Sequence, residues 1–429
     1  MKILYGICGE GMGHATRSQV ALQHLRSRGH EVLVAASDQA LRVLRSGSSS
    51  RAAAEEIPPS AAAALGGRSE TSNERGRVRP ERVARERGAS LPPADETGAS
   101  LAASPRPYTG RSLPYTGHSL LPITGMGMRC SDGGMDLRGT IEENAQRLPA
   151  MLRDNAAAWT AAERFQPDAV ITDYDSFGWF FGAAHRLPIV SIDNAQVLPR
   201  CIHREDAFGP YRDGMRALET FTIAKAPSAQ HYIVTSFFYP PVKPHLRSST
   251  TLVPPILRGE VLRALATPRA TENHVLVYKT GSLDDASVLG PLARVPEQQF
   301  LVYGLRGGAA VPSNVVAKPF DTTAFLSDLA AARAVIGNAG MSLLGEALAF
   351  GKPLYVVPMR GQFEQVLNAC YVEQLGYGTT SPALEPDRLR AFLANAPAHA
   401  AAIARVPQHD RNERLYATLD ALFPSRGRE

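Results

Sequence analysis

The sequence predicts an α/β protein built from two Rossmann-like halves that face each other across a cleft. Three observations carry this expectation. The chain opens on a brief apolar run, KILYGIC, followed by a glycine-rich loop, a helical pattern and a second apolar run, EVLVAAS. Strand, loop, helix, turn and strand make a right-handed βαβ unit, the start of a parallel sheet. A second series of the same kind begins at HVLVYKTG and continues to the C-terminal region. Between the two, YPPVKPHLRSSTTLVPP contains five prolines and reads as a linker.

The elements follow in order. Val20, Ala21, Leu22 and Leu25 give the first helix its apolar face, and Gly29 ends it. From about residue 46 to about 115 the chain is rich in Ser, Pro, Ala, Gly and Arg and poor in large aliphatics. Such a composition cannot bury enough surface to offset ordering entropy, so the segment reads as a disordered insertion. A near-repeat, PYTG, PYTG and PITG, marks its end. GTIEENAQRLPAMLRDNAAAWTAAERF reads as one long helix or two. QPDAVITDYDS is a strand with Asp173 and Asp175 at its C-terminal end, and QHYIVTSFF is the last strand of this half. In the second half QQFLVYGL, NVVAKPF, ARAVIG and KPLYVVPM read as strands. MSLLGEALAFG, QFEQVLNACYVEQLGYG, DRLRAFLANAPAHAAAIARV and NERLYATLDALF read as helices. The expected domains are 1–245, with its insertion at 46–115, and 246–429.

Bulk properties exclude several classes. A chain of 429 residues suggests about two to three domains. Its net charge of +5 is mild, and no basic stripe interleaves with aromatics, which argues against nucleic-acid binding. Cys8, Cys130, Cys201 and Cys370 lie far apart without metal-ligand spacing and read as free thiols of a reducing cytoplasm. No apolar run approaches the ~18 residues of a membrane span. ILYGIC is too short for the apolar region of a signal peptide. The expected location is cytoplasmic, with peripheral contact at the inner membrane face allowed by the basic charge.

GICGEGMGHATR places four glycines within eight residues, then a histidine and an arginine. One reading is a dinucleotide fingerprint. Gly9 and Gly11 would supply its first two glycines and Asp38 its ribose-binding acid, but His14 stands where the third glycine belongs. The other reading is a floor of small residues above a strand end, with His14 projecting from a helix N-terminus. The positive helix end favours a neutral imidazole, as a general base requires.

The second half carries an ordered set. A strand ends in Asn338-Ala339-Gly340, and Gly340 with the N–H groups of Met341 and Ser342 forms an anion site suited to a diphosphate. Glu346 lies in the helix that follows, where its carboxylate can accept from a ribose diol. Glu364 and Gln365 come after the next strand and offer groups for sugar hydroxyls, and Asn368 follows.

GEGMGHATR, ITDYDSFGWFFGAAHRLPIVSIDNAQVL, LVPPILR and NAGMSLLGEALAFGKPLYVVPMRGQFEQVLNACYVEQLGYG together resemble glycosyltransferases of the GT-B fold. The nearest resemblance is to the bacterial and archaeal teichoic-acid-biosynthesis-related glycosyltransferases. UDP-glucuronosyltransferases and the lipid-linked N-acetylglucosamine transferase of peptidoglycan synthesis are similar at greater distance. The resemblance implies an N-terminal acceptor domain and a C-terminal nucleotide-sugar donor domain. It implies that Glu346 binds the donor ribose, that Gly340 to Ser342 bind the diphosphate, and that Glu364 and Gln365 hold the sugar. Thr280, Gly281 and Ser282 would approach the phosphates from the other side, and Phe320 would contact the nucleobase. His14 matches the acceptor-activating histidine, with Asp173 or Asp175 to orient it. Gly11, Gly13, Arg17 and Asp175 are assigned to the acceptor side and its loop. Asn338 departs from plant-type relatives, which have a phosphate-contacting histidine there.

The expected reaction is an inverting, metal-independent transfer from a nucleotide-sugar, UDP-linked, to a hydroxyl acceptor, with no cofactor. Candidate acceptors are a cell-envelope glycan precursor, a lipid or a secondary metabolite. The alternatives are a nucleotide-sugar 2-epimerase of the same fold, a non-catalytic nucleotide-sugar binding protein and, behind these, an NAD oxidoreductase.

Overall fold

The computed structural model describes residues 1–9, 12–52, 120–127, 129–131, 134–204, 208–267, 269–279, 284–308 and 310–425. The chain divides into two compact units, Met1–Leu44 with Pro107–Glu429, and Arg45–Arg106. The elements that follow make two lobes within the first unit, apart from the end of one helix.

In the first lobe β1 (Lys2–Ile7), α1 (Met12–Ser27) and β2 (Glu31–Ala36) form the expected βαβ unit. Gly29 makes the turn between them at φ +82°. Residues Ile3, Tyr5 and Ile7 face one core cluster and Leu4 the other, the alternation of a strand buried on both faces. Helix α2 (Asp38–Ala52) begins at Asp38, whose φ of +40° turns the chain off β2. Residues 46–52, expected to open the insertion, are therefore helical; the remainder of that segment, with its PYTG repeats, lies outside the described residues up to 119. Next come β3 (Leu120–Pro122), the short pair β4 (Cys130–Ser131) and β5 (Gly134–Met135), and two helices, α3 (Leu137–Asp154) and α4 (Ala156–Phe165). The lobe continues with β6 (Ala169–Asp173), α5 (Ser176–Ala184), β7 (Ile189–Asp193), α6 (Val197–Arg200), α7 (Arg212–Lys225), β8 (His231–Thr235) and β9 (Thr250–Val253). Its parallel sheet runs β3-β2-β1-β6-β7-β8-β9.

The division at 245/246 is crossed twice. Strand β9, inside the segment read as a linker, pairs with β8, because Thr250–Val253 carries no proline and its backbone groups need partners. After α8 (Gly259–Leu265) the second lobe follows: β10 (His274–Tyr278), α9 (Asp285–Ala293), β11 (Gln299–Tyr303), β12 (Val315–Lys318), α10 (Thr322–Ala331), β13 (Ala334–Gly337), α11 (Met341–Ala349), β14 (Leu354–Val356), α12 (Phe363–Gln374), β15 (Gly378–Thr380) and α13 (Pro386–Ala404). Its parallel sheet runs β12-β11-β10-β13-β14-β15. The final helix, α14 (Glu413–Leu422), returns to the first lobe. Leu415 and Leu419 join the core beside α1, His24 stacks on Tyr416, and Asp420 accepts from Arg28 at 3.0 Å.

Both sheets reverse strand order once, at β1/β6 and at β10/β13. Crevices open at the C-terminal strand ends of such points, and the residues singled out by the sequence lie at these two places.

Candidate functional site

At the first switch point β1 runs into the glycine loop and β6 ends at Asp173. His14 sits in the first turn of α1, its Nδ1 2.8 Å from Asp173 Oδ1. Asp173 is fully buried. Arg17, one turn along α1, forks onto it: Nε donates to Oδ2 at 2.8 Å and Nη2 to Oδ1 at 2.5 Å. Ser18 Oγ donates to Oδ2 at 2.7 Å, and Arg17 Nη1 donates to Asn194 Oδ1 at 2.9 Å. Burial pushes the Asp173 carboxyl up, but the Arg17 guanidinium and then His14 hold it below the ordinary range. An ionised carboxylate only accepts, so the Nδ1 facing it carries the proton and Nε2 is left as the basic nitrogen. Arg17 Nη2 also lies 2.7 Å from Nδ1; one of its two N–H groups goes to Asp173 Oδ1, and it is the ionised carboxylate that sets the tautomer.

Asp175 does not share this role. It caps α5, accepting the Gly178 N–H at 2.8 Å, and burial pushes its carboxyl up. The residue between the two carboxylates separates them. Tyr174 has φ +52°, an uncommon conformation for a side chain of this size, which turns successive carboxylates to different partners. Its ring stacks near the His14 imidazole, with centroids 5.9 Å apart, and the Lys225 ammonium lies 4.9 Å from the same ring.

Beneath Arg17 lies Asp193, the last residue of β7. It accepts from Ser191 at 2.8 Å and from the Gln196 N–H at 2.8 Å, yet burial pushes its carboxyl up to about 6. Between the ordinary carboxyl range and that value the native state holds a proton that the unfolded chain has released. Stability therefore falls as pH rises through and beyond this window, by on the order of 3 kcal/mol in all. Asp193→Asn keeps both hydrogen-bonding positions without the charge. Its melting temperature is expected to exceed the parent's at pH 8 and to converge on it near pH 5; a constant gap across that range would exclude the ionisation.

At the second switch point α11 begins with Gly340 as N-cap. Helices α5, α9 and α10 are capped by the side chains of Asp175, Asp284 and Asp321, whereas Gly340 supplies none. The N–H groups of Met341 and Ser342, in the first turn, have no intrahelical acceptor. Asn338 and Asn368 turn inward: their Nδ2 groups donate to Val357 O and Ala339 O, each at 2.9 Å. They brace the glycine turn, and Asn338 also lines a cavity beside Tyr278, Lys279, Ser287 and Val357. Gln365 likewise closes its own loop, accepting the Met359 N–H at 2.9 Å. Glu364, in the first turn of α12, is half-buried. Phe320 is 53% exposed and tops an aromatic group of Tyr278, Tyr303 and Phe325. Thr280, Gly281 and Ser282, like Gly11, lie outside the described residues. Just before them Lys279, buried, places Nζ 3.0 Å from Asp285 Oδ1.

Glu346 has a partner that the sequence did not disclose. Arg258 Nε donates to Oε1 at 2.8 Å and Nη2 to Oε2 at 3.0 Å. Burial pushes the carboxyl up and Arg258 draws it back only in part. Arg258, Ser18, Asn194 and Lys279 were not identified from sequence. LVPPILR and IDNA were noted as stretches, but nothing in one chain tells which of their residues reach across the fold.

The two switch points meet. A Cβ added to Gly13 would lie 2.8 Å from Ser342 Oγ, so the first turn of α1, which bears His14, closes directly onto the start of α11. Arg17 feels the charge of Glu364 as well as that of Asp173. Among the described residues no group of three or more His, Cys, Asp or Glu side chains is placed to hold a metal ion, and no helix is long and apolar enough to cross a membrane.

The comparisons with known proteins agree with this geometry. The pattern of glycosyl transferase family 1 matches residues 1–52 and 110–397. An uncharacterized glycosyltransferase of Methanosarcina acetivorans is 22% identical over 396 residues, spanning 88% of this chain and 85% of its own. Among solved structures, the calicheamicin glycosyltransferase CalG4 superposes with a TM-score of 0.57 at 16% identity, covering 99% of each chain. UGT2 of Phytolacca americana, complexed with UDP-2fluoro-glucose and pterostilbene, gives 0.56 at 14% identity and 98% of each chain. Two parallel-sheet lobes joined at their switch points are the GT-B architecture, and with the family pattern matched over both of them the chain belongs to glycosyl transferase family 1 and is a glycosyltransferase.

Proposed function

We propose that the enzyme transfers a sugar from a uridine-diphosphate-linked donor to a hydroxyl acceptor, with inversion and without a metal ion. The observation that carries this reading is the close approach of Gly13, in the first turn of α1, to Ser342, which sets His14 beside the start of α11. The donor diphosphate would lie on the N–H groups of Met341 and Ser342, its ribose at Glu346 and its base toward the exposed face of Phe320. Glu364 is the group of this lobe best placed for sugar hydroxyls; the inward turn of Asn338, Asn368 and Gln365 gives them supporting roles. The acceptor would enter from the first lobe.

His14 Nε2 takes the proton of the acceptor hydroxyl as its oxygen forms a bond to the anomeric carbon. The bond from that carbon to the diphosphate oxygen breaks on the opposite face, so one displacement inverts the centre. Charge arriving on the diphosphate is met by a preorganised helix N-terminus, the kind of stabilisation that contributes most in many enzymes. Asp173, held by Arg17 and Ser18, keeps the imidazole oriented and stabilises the imidazolium that forms. The uridine preference draws on the likeness to the Phytolacca structure with its UDP-linked ligand.

A thermal-shift panel of UDP, dTDP, GDP, their common sugar conjugates and NAD tests the donor reading. A ligand at ~100 times its dissociation constant adds ~2.7 kcal/mol of stability. The expected result is a shift with UDP and its conjugates that is lost in Glu346→Ala. A shift with NAD alone would overturn the proposal. Product analysis then separates a new glycoside from an epimerised sugar.

A further inference from the structure

We infer that Arg258 is a second ligand-handling residue of the donor site, one that yields Glu346 to the ribose diol and passes to the diphosphate, coupling recognition of the two. The inference rests on the donor-site reading above.

Glu346 is only 9% exposed, and both of its oxygens are taken by the Arg258 fork. A fork of this kind occupies the outward lone pairs of the carboxylate, the same ones a cis-diol needs for two-point binding. A diol that binds this pair of oxygens in the same two-point fashion therefore has to displace the guanidinium. A displaced arginine stays charged, and a partly buried charge without a counter-ion is costly. The anion that arrives with the ribose is the diphosphate. Glu346 is the sixth residue of α11, ~8 Å along the axis from Met341, and helical side chains lean toward the N-terminus. The guanidinium on its carboxylate therefore lies closer still to the proposed phosphate position.

The backbone of Arg258 is held, so the exchange is left to its side chain. Leu257 donates its N–H to Asn412 Oδ1 at 2.9 Å, and Asn412 Nδ2 donates to Leu257 O at 2.8 Å. Pro255 packs flat on α11 at Gly345, where an added Cβ would come within 2.5 Å of the proline. LVPPILR is thus a fixed arm that presents one cation to α11. The exchange also gives the site a positive group that faces phosphate only after ribose has been recognised.

Titration calorimetry of the full chain with UDP, 2′-deoxy-UDP and uridine tests this in the parent, Arg258→Gln, Arg258→Lys and the double variant Arg258→Gln/Glu346→Gln. Arg258→Gln is expected to weaken UDP by about 10–100-fold, the worth of a charge-assisted contact, while uridine binds as well or better because its competitor is gone. Loss of the 2′-hydroxyl should cost the parent more than Arg258→Gln, since in the parent it also forfeits the phosphate contact. Arg258→Lys should recover part of the preference for UDP over uridine. Equal weakening of UDP and uridine would make Arg258 a brace for Glu346 and overturn the exchange, as would unchanged UDP affinity in Arg258→Gln. The double variant removes both charges, so a folding defect from an unpaired Glu346 cannot hide the result; its UDP-to-uridine ratio should collapse as in Arg258→Gln. Parent protein that binds neither ligand would remove the donor-site reading itself, and this inference with it. UDP binding lost in Glu346→Gln but intact in Arg258→Gln overturns the exchange alone.

Discussion

His14→Ala is expected to lower turnover by roughly 10²–10⁴ while leaving the affinity for UDP within about two-fold. The magnitude follows from what is removed. A positioned general base contributes on the order of 3–5 kcal/mol to the barrier, and Asp173 does not replace it, because it is held by Arg17 and Ser18 and lies fully buried. Donor affinity should be spared because the first turn of α11 and Glu346 belong to the other lobe. The measurement is kcat for transfer to the best hydroxyl acceptor of a panel, with UDP affinity determined on the same preparation. His14→Gln, which keeps a hydrogen-bonding group toward Asp173, should be equally slow. A rate near the parent's in either variant would take the base role from His14. Loss of UDP binding together with rate would place the imidazole in the donor site instead.

The architecture was legible because buried parallel strands announce themselves. KILYGIC, AVITD, IVSID, HVLVY and AVIG are short apolar runs with glycine, proline or polar residues on either side, and each became a central strand. Strand β9 was not legible. Its residues, TTLV, sit among five prolines, and the backbone pairing that makes them a strand depends on an edge offered by β8. Nor did the sequence reveal that α14 crosses back: NERLYATLDALF shows an apolar face but not what covers it. The face of α1 that receives Leu415 and Leu419 lies almost 400 residues earlier in the chain.

The site was half legible for a related reason. Local chemistry is visible in one chain; partners are not. His14, Asp173 and the start of α11 were found from glycine turns and strand ends, which mark where a backbone leaves a sheet. Asn338, Asn368 and Gln365 were read as ligand groups because polar residues near such turns often are. In the fold each satisfies a carbonyl or an N–H of the turn itself, a buried need that composition does not display. Arg258 is the converse. It looked like an ordinary arginine after two prolines, and only the fold brings it onto a glutamate 88 residues away.

Asp173→Ala is expected to remove about 3–5 kcal/mol of stability, the cost of leaving a buried guanidinium without its counter-charge. Against a total of about 5–15 kcal/mol for a domain, that is a large share, and a fall in melting temperature of about 10 °C should accompany it. Arg17 makes two of its hydrogen bonds to this carboxylate, so the substitution leaves a charged group with only neutral hydrogen-bonding partners, Asn194 and the His14 imidazole, inside the lobe. The pair also has a pH signature. Asp173 is held below the ordinary carboxyl range, so its stabilisation is present above that range and is lost as pH falls through the folded value; the variant should lack this acid sensitivity. Stability and catalysis can be separated by Arg17→Gln/Asp173→Asn, which removes both charges and keeps hydrogen-bonding groups in place. That double variant should recover at least half of the lost melting temperature, because no charge is left unpaired. Its turnover should remain at least ~10-fold below the parent's, because an amide cannot offset the charge of an imidazolium as a carboxylate does. Recovery of both would reduce Asp173 to a structural partner of Arg17 and leave His14 to act without it. Recovery of neither would mean that Ser18 and Asn194 depend on the ionic form of the pair, and that the charge itself holds β6 against α1.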